Sequence, residues 1–179
     1  VQAQTPAPFF GLERASVSSL GAPANDDCDW PAISADGRVV AFLSRATNLV
    51  SGETGGYWHA YVRDRQTGTT SLASRATNGA RADGHTYQVA LSGNGRYVAF
   101  QSAAANLVPG DTNDAYDIFL HDRYTGKTLR VSVADGGGQL AQRSDNPAVS
   151  HDGRFVAFDS NDRDVVPGDT NWSSDVFVA

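Results

Sequence analysis

The chain has 179 residues and a mass of 18.9 kDa, enough for one domain with a sizeable hydrophobic core. Hydrophobic residues make up 40% and charged residues 19%, a balance that excludes a disordered segment or a highly charged binding arm. The formal net charge of −6 argues against nucleic acid or an anionic membrane surface as the main partner, because both require a cationic surface. No apolar run approaches the roughly 20 residues that span a bilayer, so we expect no membrane insertion.

The first predicted element is a polar N-terminal extension, residues 1–11. It begins with Val1 rather than Met, and it lacks the basic and apolar regions of a signal peptide. We interpret it as the mature end left after removal of a signal peptide; a start chosen by protein engineering is the alternative. The sequence therefore predicts a secreted or periplasmic protein. The single cysteine, Cys28, excludes an intramolecular disulfide.

A repeat with a step of 58 residues dominates the rest of the chain. The segment 36–42, Asp-Gly-Arg-Val-Val-Ala-Phe, returns as Asn-Gly-Arg-Tyr-Val-Ala-Phe at 94–100 and as Asp-Gly-Arg-Phe-Val-Ala-Phe at 152–158 (94 − 36 = 152 − 94 = 58). The N-terminus joins the series at twice this step, 116, since Arg14 and Ser16 match Arg130 and Ser132. The chain thus contains three copies of one unit.

Each copy has the pattern of β-strands rather than helices. Val39 and Ala41 fall on one face of the first repeated segment, and Val40 and Phe42 on the other, which is a period of two. Strands that are apolar on both faces lie between two packed layers. Asp-Gly and Thr-Gly pairs mark the tight turns between strands. We therefore predict four short antiparallel strands per copy, the pattern of a β-propeller blade.

The predicted strands, labelled A to D within a blade, divide the chain unequally. Residues 12–18 form a lone D strand, and residues 29–75 and 87–133 each form a complete blade. Residues 145–179 supply only strands A to C of a third blade. The predicted fold class is all-β: a β-propeller unit of four-stranded antiparallel blades, with three blades per chain over residues 12–179.

The repeated motif Ser-x-Asp-Gly-Arg-[VYF]-Val-Ala-Phe-x-Ser resembles a known family. Together with [AYI]-[YF]-[VL]-x-Asp-x-x-Thr-Gly, it is similar to the WD40-like PD40 repeat of TolB-type β-propellers. The version with the insert Asn-Leu-Val-Pro-Gly-Asp-Thr-Asn at 106–113 resembles repeats of many secreted bacterial proteins. The resemblance covers residues 12–179 and implies the propeller fold, but it says little about function, because such propellers host unrelated tasks.

Three blades cannot close a ring, since propellers typically have 4–8. One explanation is a homodimer by terminal strand exchange, in which each chain lends its D strand to the other and a six-bladed ring forms. A second explanation is that the 179 residues are a piece of a longer chain. A filament formed by open-ended exchange is a third. The matching phase of residues 12–18 and 145–179 favours the dimer.

The insert between strands B and C carries a candidate calcium site in two copies. Both copies read Asp-x-Asn-x-x-x-Asp, close to the alternating oxygen ligands of calcium loops. The candidate ligands are Asp111, Asn113, Asp117, Asp169, Asn171 and Asp175. The first copy lacks the Asn and the final Asp, so calcium is expected at two inserts only. The alternative is a turn in which Asp111 accepts hydrogen bonds from the following backbone amides.

Aromatic residues in or beside the inserts are the candidate ligand-binding residues. Tyr57, Trp58, Tyr116 and Trp172 lie in polar, turn-like sequence, where exposed rings offer flat faces to sugars or partner side chains. The alternative is that they cover the edge between blades. Trp30 is interpreted as packing or channel lining.

The sequence contains no convincing nucleophile, acid–base or zinc motif. We therefore expect a secreted binding module that presents loops and a channel to a protein or glycan partner, with calcium as a stabilising cofactor. One alternative is an extracellular polysaccharide hydrolase or lyase with its site at the channel. The other is a structural assembly unit.

Overall fold

A computed structural model describes residues 11–52, 56–171 and 173–179. These residues form strands β1 Cys28–Ile33, β2 Val39–Ser44, β3 His59–Asp64, β4 Thr69–Leu72, β5 Thr86–Leu91, β6 Tyr97–Ser102, β7 Asp117–Asp122, β8 Thr128–Arg130, β9 Ser144–Val149, β10 Val156–Ser160 and β11 Asp175–Val178. Among the described residues there is no helix, and hence none that could cross a bilayer.

The strands form three separate antiparallel sheets. The first sheet contains β1 to β4, the second contains β5 to β8, and the third contains β9 to β11. Within each sheet, strands that follow one another in the chain are hydrogen-bonded neighbours. The prediction of an all-β fold with antiparallel sheets is confirmed. The first two sheets have four strands each, and the third has three.

Residues 11–18 do not form a strand in the described chain. Their one bridge, Val17 to Pro23, is isolated. The same isolated bridge recurs one and two repeats later, at Arg75–Arg81 and Val133–Gln139. Residues 12–14 therefore correspond to β8, two repeats later. Their role as a lone D strand stays a prediction.

The Ser-x-Asp-Gly-Arg motif forms a hydrogen-bonded turn at the start of β2. The Ser34 hydroxyl donates to Asp36 Oδ1 (2.6 Å) and accepts from the Val39 amide (2.9 Å). Gly37 has a φ of +72°, a left-handed conformation that favours glycine. The same contacts recur around Asn94 and Asp152. The repeated polar residues therefore act as turn formers, as the sequence predicted.

An arginine of this motif ties β2 to the end of β3. Arg38 Nε and Nη2 donate to both carboxylate oxygens of Asp64 at 2.8–3.1 Å. The Arg38 guanidinium lowers the pKa of Asp64 to about 2. Arg96 and Asp122 repeat the pair in the second sheet. Each pair fixes the end of the central hairpin of its sheet.

Hydrophobic clusters fill the spaces between neighbouring sheets. In one cluster, Leu43 and Val62 of the first sheet pack with Phe100 of the second. In another, Ala99 of the second sheet packs with Phe158 of the third. Because the successive residues Ala99 and Phe100 enter different clusters, β6 is buried on both faces. The expectation that these strands lie between packed layers is confirmed.

Candidate binding site

The first strand of each sheet carries a β-bulge at the same point of the repeat. The register shifts between Asp29 and Ala32 in β1, and between Thr86 and Val89 in β5. A bulge bends a strand and changes the direction of its side chains. In β1 it places Trp30 at a φ of +51°, a conformation rare for a bulky residue, and leaves that residue 56% exposed. An exposed aromatic ring on strained backbone is typical of functional sites.

Trp30 lines a cleft of about 210 Å³ between the first two sheets. The lining residues are Asp29, Trp30, Leu43, Trp58, Thr86 and Tyr87. Three of the six are aromatic, and Leu43 closes the cleft against the hydrophobic cluster. Asp29 supplies one carboxylate. The cleft can therefore stack a flat or ring-shaped group and accept a hydrogen bond from it.

A row of aromatic rings continues from this cleft. Tyr57 and His85 meet edge to face with centroids 5.1 Å apart, and His85 lies 5.6 Å from Tyr87. Tyr87 meets Tyr116 edge to face at 5.3 Å. These distances and angles are those of favourable aromatic pairs. The row gives the cleft a rigid aromatic margin that extends from the first sheet to the second.

Hydrogen bonds hold the rings at the centre of this row. The backbone amide of Trp58 donates to His85 Nδ1 (3.1 Å), so this nitrogen is the acceptor and the Nε2 atom carries the proton of the neutral ring. Burial raises the pKa of Tyr87, and its hydrogen bond with Tyr116 raises the pKa further. Both effects favour the neutral phenol of Tyr87 over its phenolate.

Most of the aromatic residues singled out from the sequence come together at this place. Trp58 lines the cleft, and Tyr57 and Tyr116 belong to the adjoining row. Trp172 lies outside the described residues. Sequence reasoning missed Tyr87, and it assigned Trp30 to packing or channel lining. A break in the repeat could have singled out Trp30, because the equivalent positions of the other two copies are Gln88 and Asn146.

The insert of the second sheet brings its three candidate calcium ligands together around an arginine. Arg130 Nη1 lies 3.4 Å from Asp111 Oδ1 and 3.5 Å from Asp117 Oδ2. Asn113 turns its amide nitrogen, a donor, toward Asp117 Oδ2 (3.1 Å). Burial raises the pKa of Asp117, and burial together with the neighbouring Asp117 raises that of Asp111. The guanidinium thus lies where a cation would neutralise the two carboxylates.

The corresponding insert of the third sheet is more exposed. Asn171 donates from its side chain to Asp175 Oδ2 (3.1 Å) and from its backbone to Asp169 Oδ1 (3.3 Å). The second contact is an Asx-turn, in which a side-chain oxygen accepts from a backbone amide two residues later. Within the described ranges, no group of three His, Cys, Asp or Glu side chains is arranged to hold a metal ion. Calcium at these inserts stays a prediction.

Comparison with known proteins supports the fold and leaves the activity open. No protein-family model matches the chain, and no curated protein matches it either. Similar solved structures include TolB from Acinetobacter baumannii (19% identity, 89% of this chain and 31% of that chain, TM-score 0.47). Another is the β-propeller domain of the Trilobed protease from Pyrococcus furiosus (11% identity, 75% of this chain and 34% of that chain, TM-score 0.49). A third is the tricorn protease (15% identity, 85% of this chain and 13% of that chain, TM-score 0.51).

The chain spans about a third or less of these three structures. At such low identity, the similarity concerns the fold alone.

Proposed function

We propose that the protein is a propeller-type binding module whose ligand lies in the cleft between the first two sheets. The observation that carries this proposal is Trp30, an exposed ring on strained backbone that lines the cleft with Trp58 and Tyr87. Packing alone gives no reason to keep a bulky side chain at a positive φ, because the strain costs about 1–3 kcal/mol. Ligand binding supplies such a reason.

The chemistry of the cleft favours a glycan over a protein partner. Sites that enclose a whole drug-sized ligand have volumes of about 300–1,000 Å³, and the volume of the cleft is smaller. The cleft would therefore bind one ring of a longer molecule. The aromatic faces would stack on the apolar face of a sugar ring, and Asp29 would accept hydrogen bonds from its hydroxyls. The adjoining row from Tyr57 to Tyr116 would carry the next units. The net charge of −6 favours neutral over acidic sugars.

A binding experiment with matched variants tests this proposal. Neutral oligosaccharides would be titrated into the protein, with tryptophan fluorescence and calorimetry as readouts. Trp30→Asn removes the ring but keeps a residue that Asn146 shows is accommodated at φ +55° in the equivalent bulge. We expect at least a tenfold loss of affinity, or about 1.4 kcal/mol. Tyr87→Ala should weaken binding similarly.

Tyr124→Ala is the control, because Tyr124 is an exposed aromatic residue on the β7–β8 turn, outside the cleft. A glycan that binds the Trp30→Asn variant as tightly as the parent would place the site elsewhere. Binding of peptides but of no sugar would replace the glycan with a protein partner.

We infer two further properties from the sequence. A secreted or periplasmic location follows from the similarity of the insert-bearing repeat to repeats of secreted bacterial proteins. Calcium bound at the inserts would stabilise the module. A rise in the Tm of the protein at millimolar Ca²⁺ would support calcium binding. An unchanged Tm would leave the inserts as turns.

A further inference from the structure

Thr86 brings an unused hydrogen-bonding group to the wall of the cleft. The residue is the first of β5, it lines the cleft, and it is 0% exposed. Among the described residues, its Oγ1 atom has no hydrogen-bond partner. A buried hydroxyl without a partner costs free energy, so its presence needs a physical reason.

The contacts around Thr86 do not supply the missing partner. Its backbone amide donates to the Trp58 carbonyl (2.8 Å), which holds Thr86 beside another residue of the cleft wall. Across β5 and β6, Thr86 lies opposite Ser102. The Ser102 hydroxyl donates to the His85 carbonyl instead (3.1 Å). The Thr86 hydroxyl therefore remains available to a molecule that enters the cleft.

The repeat allows a comparison with the equivalent place between the second and third sheets. Gln101 is the counterpart of Leu43 of the cleft, 58 positions later. Ser144 is likewise the counterpart of Thr86. The Gln101 side chain donates to the Ser144 carbonyl (2.9 Å) and to Asp145 Oδ1. Hydrogen bonds between the two sheets thus close this place.

A second pair of side chains closes the same place. Gln88 Nε2 donates to Asn146 Oδ1 (2.9 Å), and the Asn146 backbone amide donates to Gln88 Oε1 (2.5 Å). Gln88 is the counterpart of Trp30. Neither Trp30 nor Leu43 has an amide side chain, so these bonds have no equivalent between the first two sheets. Two departures from the repeat therefore leave the cleft open beside Thr86.

We propose that Thr86 determines the specificity of the cleft by forming a hydrogen bond with one hydroxyl of the bound sugar ring. This inference rests on the proposed function, because it assigns a role within the same cleft. A threonine hydroxyl both donates and accepts, and a sugar hydroxyl does the same. A ring that lacks this hydroxyl would leave Thr86 buried and unpaired. The cleft therefore selects the hydroxylated ring over its deoxy analogue.

Sugars that lack one hydroxyl test the proposal. The probes are the methyl glycosides of glucose, galactose and mannose, each with its monodeoxy analogues, and the readouts are tryptophan fluorescence and calorimetry. For the sugar that binds most tightly, we expect one analogue to bind the parent protein at least tenfold more weakly. Thr86→Val keeps the shape of the side chain and removes its hydroxyl. This variant should lose about the same factor for the sugar and should bind the sugar and that analogue equally.

Two further variants serve as controls. Thr86→Ser keeps the hydroxyl and should retain the preference for the sugar over its analogue. Ser144→Ala removes a hydroxyl that is equally buried and, among the described residues, also has no partner. Because Ser144 lies at the closed place, its replacement should leave the affinity for the sugar unchanged.

A purely structural role of Thr86 gives a different result. If the hydroxyl serves only to hold a buried water, Thr86→Val should lower the Tm and keep the preference for the sugar. Our proposal expects a Tm equal to or above that of the parent, because the variant removes an unpaired buried hydroxyl. It also expects the preference to disappear.

Two results would overturn the inference, and they differ in what they mean for the proposed function. If Trp30→Asn loses the sugar while Thr86→Val keeps both affinity and preference, the cleft is the binding site but Thr86 does not select the ligand. If the parent binds none of the sugars, the glycan proposal fails and the role of Thr86 fails with it.

Discussion

His121 is the buried titratable residue with the clearest consequence for stability. It is 4% exposed on β7, and its Nδ1 lies 2.9 Å from Thr128 Oγ1. Burial, assisted by the positive charge of Arg75, lowers the pKa of His121 to about 4 from an ordinary value of 6.5. The folded protein therefore holds this imidazole neutral over a pH range in which the unfolded chain protonates it.

The resulting prediction concerns stability between pH 6.5 and 4. In this window the unfolded state binds one more proton at this residue, so the free energy of unfolding falls as the pH is lowered. The loss is about 2–3 kcal/mol, at 1.36 kcal/mol for each pKa unit. His121→Gln should remove most of this dependence in urea-unfolding measurements across the window.

His151→Gln is the control, because it makes the same substitution at an exposed histidine of the third sheet. Equal slopes for the parent and His121→Gln would contradict the prediction.

Single residues divide into those that the repeat made predictable and those that it did not. Ser34, Asp36 and Gly37 recur in phase, and they form the turn that their residue types favour. Trp30 departs from the repeat, and its conformation depends on a β-bulge that local residue propensities do not predict. Arg130 was also not predictable, because its contact joins a residue of β8 to Asp111 of the insert between β6 and β7.

The glycines of the Asp-Gly turns reveal how closely neighbouring sheets approach. Gly153 has a φ of +75°, and a Cβ atom there would lie 2.0 Å from Tyr97 Cδ2 on the second sheet. Gly126 has nearly the same φ, +73°, but a Cβ atom there would meet nothing within 4 Å. The two positions therefore separate the cost of left-handed backbone from the cost of contact between sheets.

We expect both substitutions to alanine to destabilise the protein, but by different amounts. Gly126→Ala should cost about 1 kcal/mol, since an L-residue is strained at this φ. Gly153→Ala should cost about 1–3 kcal/mol more, because the Tyr97 ring must move. Urea unfolding of the two variants measures the difference. Equal losses would mean that the third sheet moves away from the second at little cost.

Strand positions were more predictable than strand contacts. Alternation with a period of two and the 58-residue step located the strands, because both reflect backbone geometry within one copy. The bulges of β1, β5 and β9 were not predictable, since each arises from pairing with the next strand. The cleft depends on the bulge of β1 and on residues of two sheets, so it could not be predicted from the sequence of one copy.

The three sheets share their hydrophobic clusters, which bears on how the whole molecule unfolds. Each sheet has an aromatic pair at equivalent positions: Phe42 with Tyr61, Phe100 with Phe119, and Phe158 with Phe177, with centroids 5.8–5.9 Å apart. The second sheet contributes to the clusters on both of its sides. In repeat proteins, such interfaces between neighbours couple units that are weakly stable alone.

This coupling predicts that a substitution that destabilises the third sheet also lowers the stability of the first sheet. Phe158 is 2% exposed in the cluster between the second and third sheets, so Phe158→Ala should cost about 3–5 kcal/mol. In a Trp172→Phe background the remaining tryptophans, Trp30 and Trp58, belong to the first sheet or its margin, and their fluorescence reports on that sheet. We expect the urea midpoints from fluorescence and from circular dichroism to fall together.

The decisive observation is whether the two midpoints coincide. Coincident midpoints indicate a single cooperative unit, and different midpoints indicate sheets that unfold separately. The control is Phe158→Leu, which keeps most of the buried volume and should shift both midpoints far less. If the fluorescence midpoint stays at the value of the parent while circular dichroism shows an earlier transition, the third sheet unfolds alone. The cleft would then survive loss of the third sheet, and ligand binding could be measured on the partly unfolded protein.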